Sequence, residues 1–264
     1  MSMNDLVQDL LIRVYDSLAK RGSFNTVFGR ASYQVAYEIY KLTIEASGVG
    51  HLRQFATSGT TVIDVGANIG FFTVRFAEWV GANGRVLAIE PDAENLAWLR
   101  RRLQKRKLDG RVEVVAAAAA EVGGPIRLSV NRRHPGDHRI GDAGIAVEAA
   151  TIDQLTEQAA LPPVSMIKID VQGAEMRVLA GARRTLARFR PTLVIEVDDA
   201  ALRSQGSSAR ALIDALAAQG YEPYSLTRHG VGARADVNEE LIARLSRDYR
   251  DVVFLPTQAP MQKR

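Results

Sequence analysis

The 264 residues are enough for one large α/β domain with additions and cramped for two domains. With 47% hydrophobic and 24% charged residues the chain has the composition of a globular protein, which excludes disorder, and no apolar run approaches the roughly 20 residues of a membrane span. Net charge is only +4, and the absence of cysteine excludes disulfides, thiolate metal sites and cysteine nucleophiles.

The N-terminus, Met1 to Asp5, lacks the basic start and apolar run of a secretion signal, so a cytoplasmic location is expected, with no membrane partner. Leu6, Leu10, Val14 and Leu18 recur every four positions between polar residues, as in an amphipathic helix. A second helical pattern runs from Tyr33 to Ser47 and is expected to end at Gly48-Val49-Gly50. Residues 1–58 are therefore expected to be a helical extension, serving as a lid, as a homo-oligomer contact or only as packing.

From residue 59 onward β-branched runs alternate with helical stretches, the pattern of parallel βαβ units. Strands are predicted at Thr61 to Val65, Arg85 to Glu90 and Val112 to Ala116, with helices at Phe71 to Val80 and Asp92 to Lys107. The string Ala116 to Ala120 is placed at a strand end and turn because Gly123-Gly124-Pro125 follows it. The basic run Arg100 to Lys107 has no interleaved aromatic residue to stack on bases, so it is read as a solvated helix face and nucleic acid is not expected as a partner. Between about 125 and 150 the helical period disappears, Ile126 to Val130 alternates as a half-exposed strand should, and a polar loop holds His134, Gly136, Asp137, His138 and Arg139. This segment is expected to be an insertion that carries substrate contacts. Predicted strands resume at Met166 to Asp170, Thr192 to Val197, Tyr221 to Tyr224 and Asp251 to Leu255, with helices at Ala174 to Arg188 and Ala209 to Gln219.

The segment Asp64-Val65-Gly66-Ala67-Asn68-Ile69-Gly70 follows the first predicted strand, which in a doubly wound sheet borders the ligand crevice. Gly66 and Gly70 permit a sharp turn and close approach to a ligand, and Asn68 tolerates unusual backbone geometry. A phosphate loop is excluded because Gly70-Phe71-Phe72 offers no Lys-Ser/Thr ending. A dinucleotide loop, as in an NAD-type oxidoreductase, fits poorly: the spacing is Gly-x-x-x-Gly, and Asp64 would face an anion. S-adenosylmethionine carries a cationic sulfonium and no phosphate, so a loop opening on a carboxylate suits it better. Glu90, about 20 residues past the glycines and followed by Pro91, stands where an acid takes both ribose hydroxyls.

These residues, with Ile167-Lys168-Ile169-Asp170-Val171-Gln172-Gly173-Ala174-Glu175 and the closing Asp251-Val252-Val253-Phe254-Leu255-Pro256, resemble the FkbM-type methyltransferase family from about Thr60 to Pro256. The Lys-Ile-Asp-Val-x-Gly-Ala-Glu element is the most specific part of the likeness, and Gly136-Asp137-x-Arg139 matches a further recurring element. The resemblance implies an α/β, Rossmann-like class I methyltransferase fold with a mostly parallel seven-stranded sheet, an antiparallel last strand, and residues 59–264 as the catalytic domain. It implies O-methylation of a small-molecule natural product or sugar, with Ala117 beside Asp64, Gly66, Asn68, Gly70, Glu90 and Pro91 in the cofactor site.

Methyl transfer to oxygen is an in-line displacement in which something must take the hydroxyl proton. Asp170 and Glu196 end neighbouring predicted strands and His138 lies in the insertion, so these three are the candidate catalytic residues. Asp170 or His138 would act directly as base, or Asp170 and Glu196, with His138 or Asp137 from the insertion, would hold Mg²⁺ to acidify the hydroxyl. Asp137, Arg139 and Glu175 are the candidate acceptor contacts; the alternative for Lys168, Glu175 and Arg139 is structural ion pairing, and for Glu175 also a place at a helix start favoured by the dipole. A module that binds the cofactor without catalysis is the remaining alternative.

Overall fold

The computed structural model describes residues 46–130, 138–159, 161–227, 229–246 and 250–257. A short helix α1 (Ala46–Val49) and a 3-10 turn (Gly50–Gln54) lead to β1 (Thr61–Val65), α2 (Phe71–Trp79), β2 (Arg85–Ile89), α3 (Ala93–Arg106) and β3 (Val112–Val115). The chain then forms β4 (Ala118–Ala119), β5 (Gly124–Ser129), β6 (Arg139–Ile140) and β7 (Ile145–Ala150). It returns through α4 (Ile152–Gln158), β8 (Val164–Ile169), α5 (Glu175–Ala180), α6 (Arg183–Phe189) and β9 (Thr192–Val197). Last come α7 (Asp199–Ser204), α8 (Ala209–Ala217), β10 (Tyr221–Thr227), β11 (Gly230–Arg234), α9 (Glu239–Leu245) and β12 (Arg250–Pro256).

The main sheet has the order β11-β10-β12-β9-β8-β1-β2-β3. Strands β3, β2, β1, β8 and β9 pair in parallel, and β12 lies antiparallel between β9 and β10. This is the Rossmann-like α/β architecture with its antiparallel last strand. The described sheet has eight strands where seven were expected. The additional one, β11, pairs antiparallel with β10, and its Gly-Val-Gly-Ala-Arg carries no β-branched alternation that would announce it.

The chain moves outward from β1 to β3 and then crosses back to place β8 on the other side of β1. Strand order therefore reverses between β1 and β8, and the crevice beyond their carboxyl ends is where ligands bind in such sheets. All five residues of β1 are buried, because helices cover both faces of the sheet. Val62 and Met166 join Phe72, Phe76 and Leu99 on one face, whereas Ile63, Val65, Ile167 and Ile169 join Leu186 and Leu212 on the other. Asp64 and Lys168 have the parity of Val62 and Met166, so they belong to the face covered by α2.

Helix α3 is delimited as its sequence predicts. Asp92 accepts from the Glu94 and Asn95 amides at the N-cap, and Lys107 ends the helix at φ 56°. The single helix expected from Ala174 to Arg188 is instead two, broken at Gly181. A Cβ there would collide with the Ala120 carbonyl, and the Gly181 carbonyl accepts from the Asp153 amide at 2.9 Å. Asp153 on α4 then caps α6 from outside, accepting from the amides of Arg184 (3.0 Å) and Thr185 (2.8 Å) and from the Thr185 hydroxyl (2.8 Å).

The expected insertion is a second sheet of order β4-β7-β5-β6, and it starts earlier than residue 125. Ala118 and Ala119, read as part of a turn, pair in parallel with Ala149 and Ala150. At the chain's start, the helix of Leu6 to Leu18 and most of the second helical pattern lie outside the described residues. The second pattern ends within Gly48-Val49-Gly50 as expected: α1 closes at Val49, and the chain continues in the 3-10 turn from Gly50. Val49, Leu52 and Ala56 are buried with Leu226 and Val231, so the described part of the extension packs at the β10–β11 edge.

Candidate functional site

Beyond β1 the chain curls over the end of β2, where the amides of Gly66 and Ala67 both donate to the Ile89 carbonyl (3.0 and 3.1 Å). Three residues of the turn have left-handed backbone: Gly66 (φ 77°), Asn68 (φ 49°) and Gly70 (φ 85°). Gly66 was expected to clear room for a ligand, yet its missing side chain makes room for protein. A Cβ there would collide with the carbonyl oxygen of Asp170, whose amide in turn donates to the Val65 carbonyl at 3.1 Å. The glycine thus seats the loop on the end of β8 and joins the two walls of the crevice.

Glu90 is 4% exposed and bonds more extensively than expected of a ribose acid. One carboxylate oxygen accepts from the Asn68 amide (2.8 Å), and the other from the Asp92 amide (2.9 Å) and the Asn95 side chain (3.2 Å). It staples the loop to the β2–α3 turn. Oε1 thus carries two donors and Oε2 one, which leaves Oε2 with an acceptor position to spare. Burial pushes its carboxyl up to about 7, against the pull of the Asp92 and Asn68 amides and the Asn95 side chain. Pro91 follows directly. Ala117, 4% exposed, comes two residues after Val115, whose carbonyl accepts from the Glu90 amide at 3.1 Å, so both border the end of β2.

Asp64 lies deeper than the turn. It is fully buried, and its Oδ2 accepts from the Thr73 hydroxyl at 2.6 Å, which ties β1 to the first turn of α2. Lys168 is its register partner on β8. The Lys168 ammonium, 2% exposed along its side chain, lies 2.9 Å from Asp170 Oδ2 and 4.3 Å from the centre of the Phe72 ring. A lysine in the apolar strand Val164 to Ile169 signals a buried partner, because an isolated ammonium is too costly to desolvate. Thr73 and Phe72 gave no such signal, since they read as ordinary helix residues.

After Asp170 the chain turns through Gln172 (φ 52°) and Gly173 (φ 102°) against the backbone of Ala201. Glu175, 2% exposed, accepts from the Gly173 amide at 3.0 Å through Oε1, while its buried Oε2 has no hydrogen-bond partner among the described residues. Burial pushes this carboxyl up to about 7; the Gly173 amide opposes the shift and the Asp170 charge adds to it. At this depth Glu175 braces the turn, in line with the structural alternative expected for it. Glu196, at the carboxyl end of β9, accepts from the Gln172 side chain at 3.0 Å.

The insertion reaches this corner through Gln205, whose side chain donates to the Ile140 carbonyl at 3.0 Å and whose Cγ neighbours Gly173. His138 and Arg139 are half-buried at the start of β6, and Asp137 lies outside the described residues. Among the described residues no three His, Asp or Glu side chains gather as a metal-ligand group. Asp170 and Glu196 do not fit a shared Mg²⁺, because an ammonium holds the first and a glutamine amide the second.

A parallel sheet with its glycine turn, buried acid and carboxylate-bearing strand end at one switch point is the frame of a Rossmann-like transferase. Residues 64–223 match the family described as "Methyltransferase FkbM domain", well over half of the chain, and the chain belongs to this family. It is 27% identical over 172 residues to "2-O-methyltransferase NoeI" of Sinorhizobium fredii (strain NBRC 101917 / NGR234), covering 59% of this chain and 70% of that one. The crystal structure of methyltransferase FkbM from Methylobacillus flagellatus KT superposes with a TM-score of 0.49 at 20% identity, over 92% of this chain and 58% of that one. The chain thus spans somewhat over half the length of that structure. The O-methyltransferase TomG from Streptomyces achromogenes, solved with S-adenosylmethionine, gives a TM-score of 0.48 at 14% identity, over 81% of this chain and 80% of that one.

Proposed function

We propose that the chain is an S-adenosylmethionine-dependent O-methyltransferase acting on a hydroxyl group of a small-molecule natural product or sugar. The observation that carries this reading is the seating of Gly66 on the Asp170 carbonyl, which puts the cofactor loop and a carboxylate in one crevice. The relative named as a 2-O-methyltransferase supports an oxygen acceptor. Residues 59–264 form the catalytic domain in this reading, with 1–58 as its extension.

The chain's residues suit the cofactor in part as expected. The free acceptor position on Glu90 Oε2 meets a ribose hydroxyl, with Pro91 and Ala117 beside it, and the Gly66 to Gly70 turn borders the amino acid end. When bound, the cofactor supplies an electrophilic methyl group on sulfonium. Asp170, 18% exposed along its side chain, accepts the hydroxyl proton as the new C–O bond forms. The remaining work is alignment and exclusion of water. His138, Asp137 and Arg139 stand on the insertion side as contacts for the acceptor, and His138 is the alternative base. Glu196 acts through Gln172 by fixing the turn after Asp170. No step runs through a metal.

Calorimetric titration with S-adenosylmethionine and with NAD, followed by transfer from methyl-tritiated S-adenosylmethionine to a hydroxyl library, tests the reading. Binding of S-adenosylmethionine with transfer that EDTA does not diminish is expected. Tight binding of NAD alone would replace the reading with an oxidoreductase, and cofactor binding with no transfer to any hydroxyl would leave a non-catalytic module.

A further inference from the structure

Lys168 is a buried cation placed where three parts of the crevice meet. Its ammonium lies 2.9 Å from the Asp170 carboxylate at the end of β8 and 4.3 Å from the ring of Phe72 on α2. On β1 it faces Asp64 in register, and Asp64 is itself tied to α2 through Thr73. Phe72 is in turn fixed by an edge contact with Phe71 (centroids 5.2 Å) and a stacked contact with Phe76 (5.8 Å). The ammonium therefore has one rigid address, and the Asp170 carboxylate is held against it. A carboxylate at the rim of a crevice without such a partner samples several rotamers, of which only some aim a lone pair at a hydroxyl in line with the methyl donor.

We propose that Lys168 is a positioning residue for methyl transfer: its ammonium, anchored over Phe72, holds the Asp170 carboxylate in the orientation that receives the acceptor's proton. The inference rests on the reading of Asp170 as the base. It goes beyond that reading in assigning the buried lysine a part in the rate of transfer. Lys168 itself touches neither reactant.

The test compares Lys168→Met, Lys168→Arg, Asp170→Asn and the Lys168→Met/Asp170→Asn pair. The probe is methyl-tritiated S-adenosylmethionine with a pool of methyl pyranosides bearing free hydroxyls. Lys168→Met is expected to lower kcat about tenfold to a hundredfold while KM for S-adenosylmethionine stays within about threefold, and Lys168→Arg to recover part of the loss. In the Asp170→Asn background the added Lys168→Met change is expected to cost little further, because the group it positions is gone. Unchanged kcat in Lys168→Met, or an equal loss with and without Asp170, would overturn the proposal. Wild-type turnover in Asp170→Asn would instead overturn the reading of Asp170 as base, and the proposal with it.

A second measurement needs no acceptor and no folded Lys168→Met protein. In a side-chain ammonium ¹H–¹⁵N spectrum, Lys168 is expected to give a slowly exchanging, ring-shifted signal that moves in Phe72→Leu and in Asp170→Asn. A Lys168 signal like that of an exposed lysine would overturn the proposal.

Discussion

Glu90 and Glu175 are both sealed from water and both pushed up to about 7 by burial, yet they are partnered differently. Each binds its proton more tightly folded than unfolded. The folded state therefore holds more protons between about pH 4.5 and about pH 7, so their contribution to stability falls as pH rises through that window and levels off above it. Glu175→Gln keeps an oxygen for the Gly173 amide and removes the charge, so it is expected to flatten this decline and to raise Tm at pH 8 by a few degrees, as thermal melts at a series of pH values will show. An unchanged slope would refute the account. Glu90→Gln behaves oppositely, because three N–H donors converge on its two oxygens and one would meet an amide N–H instead. It is expected to lower Tm and to weaken S-adenosylmethionine binding about tenfold or more by calorimetry. Sequence revealed the position of Glu90 through its distance from the glycines, but the count of donors on each oxygen depends on how Asn68, Asp92 and Asn95 fold around it. The Thr73 partner of Asp64 was hidden for a related reason: a carboxylate at a strand end looks alike in sequence whatever helix packs over it.

Whole elements meet at glycines that sequence marked for another purpose. Gly66 reads as clearance for a ligand, and it also makes the contact between the β1 loop and β8; a Cβ would meet a carbonyl oxygen that cannot swing away. Gly66→Ala is accordingly expected to abolish measurable S-adenosylmethionine binding and to lower Tm, whereas Gly70→Ala, strained by its left-handed backbone but meeting the flexible end of Leu99 and no backbone atom, is expected to keep weakened binding. Equal affinity in the two variants would contradict this. Helix α6 owes its start to Asp153, a residue 30 positions upstream of Arg183, which no local pattern connects to it. Asp153→Ala is expected to cost about 1 to 3 kcal/mol in urea melts while leaving kcat per folded molecule unchanged. Strongly periodic elements such as α3, with caps at both ends, were legible to the residue. The short α4, α7, α9 and β11 were not, since each is defined by what it packs against.

At the scale of the molecule, alternation of strands and helices identified the parallel sheet, and the sequence likeness located the antiparallel last strand. What alternation does not convey is the order in space: β12 fills the slot between β9 and β10 and bonds along both sides. Val252, Val253 and Phe254 are buried there. A chain cut before Arg250 would leave two facing strand edges and an open core, and is expected to be insoluble or to lack a cooperative melt; a soluble, cooperatively folding product would show the slot to be dispensable.

That slot also imposes a schedule. During synthesis β1, β2, β3 and β8 emerge early and can close the crevice around Gly66 and Asp170 while later segments are still being made. The other half of the sheet must wait, with β10 unable to dock on β9 directly, until almost the last described residues arrive. The half with Gly66 and Asp170 can thus take shape first, and the half that secures it is locked by a strand that works as a keystone.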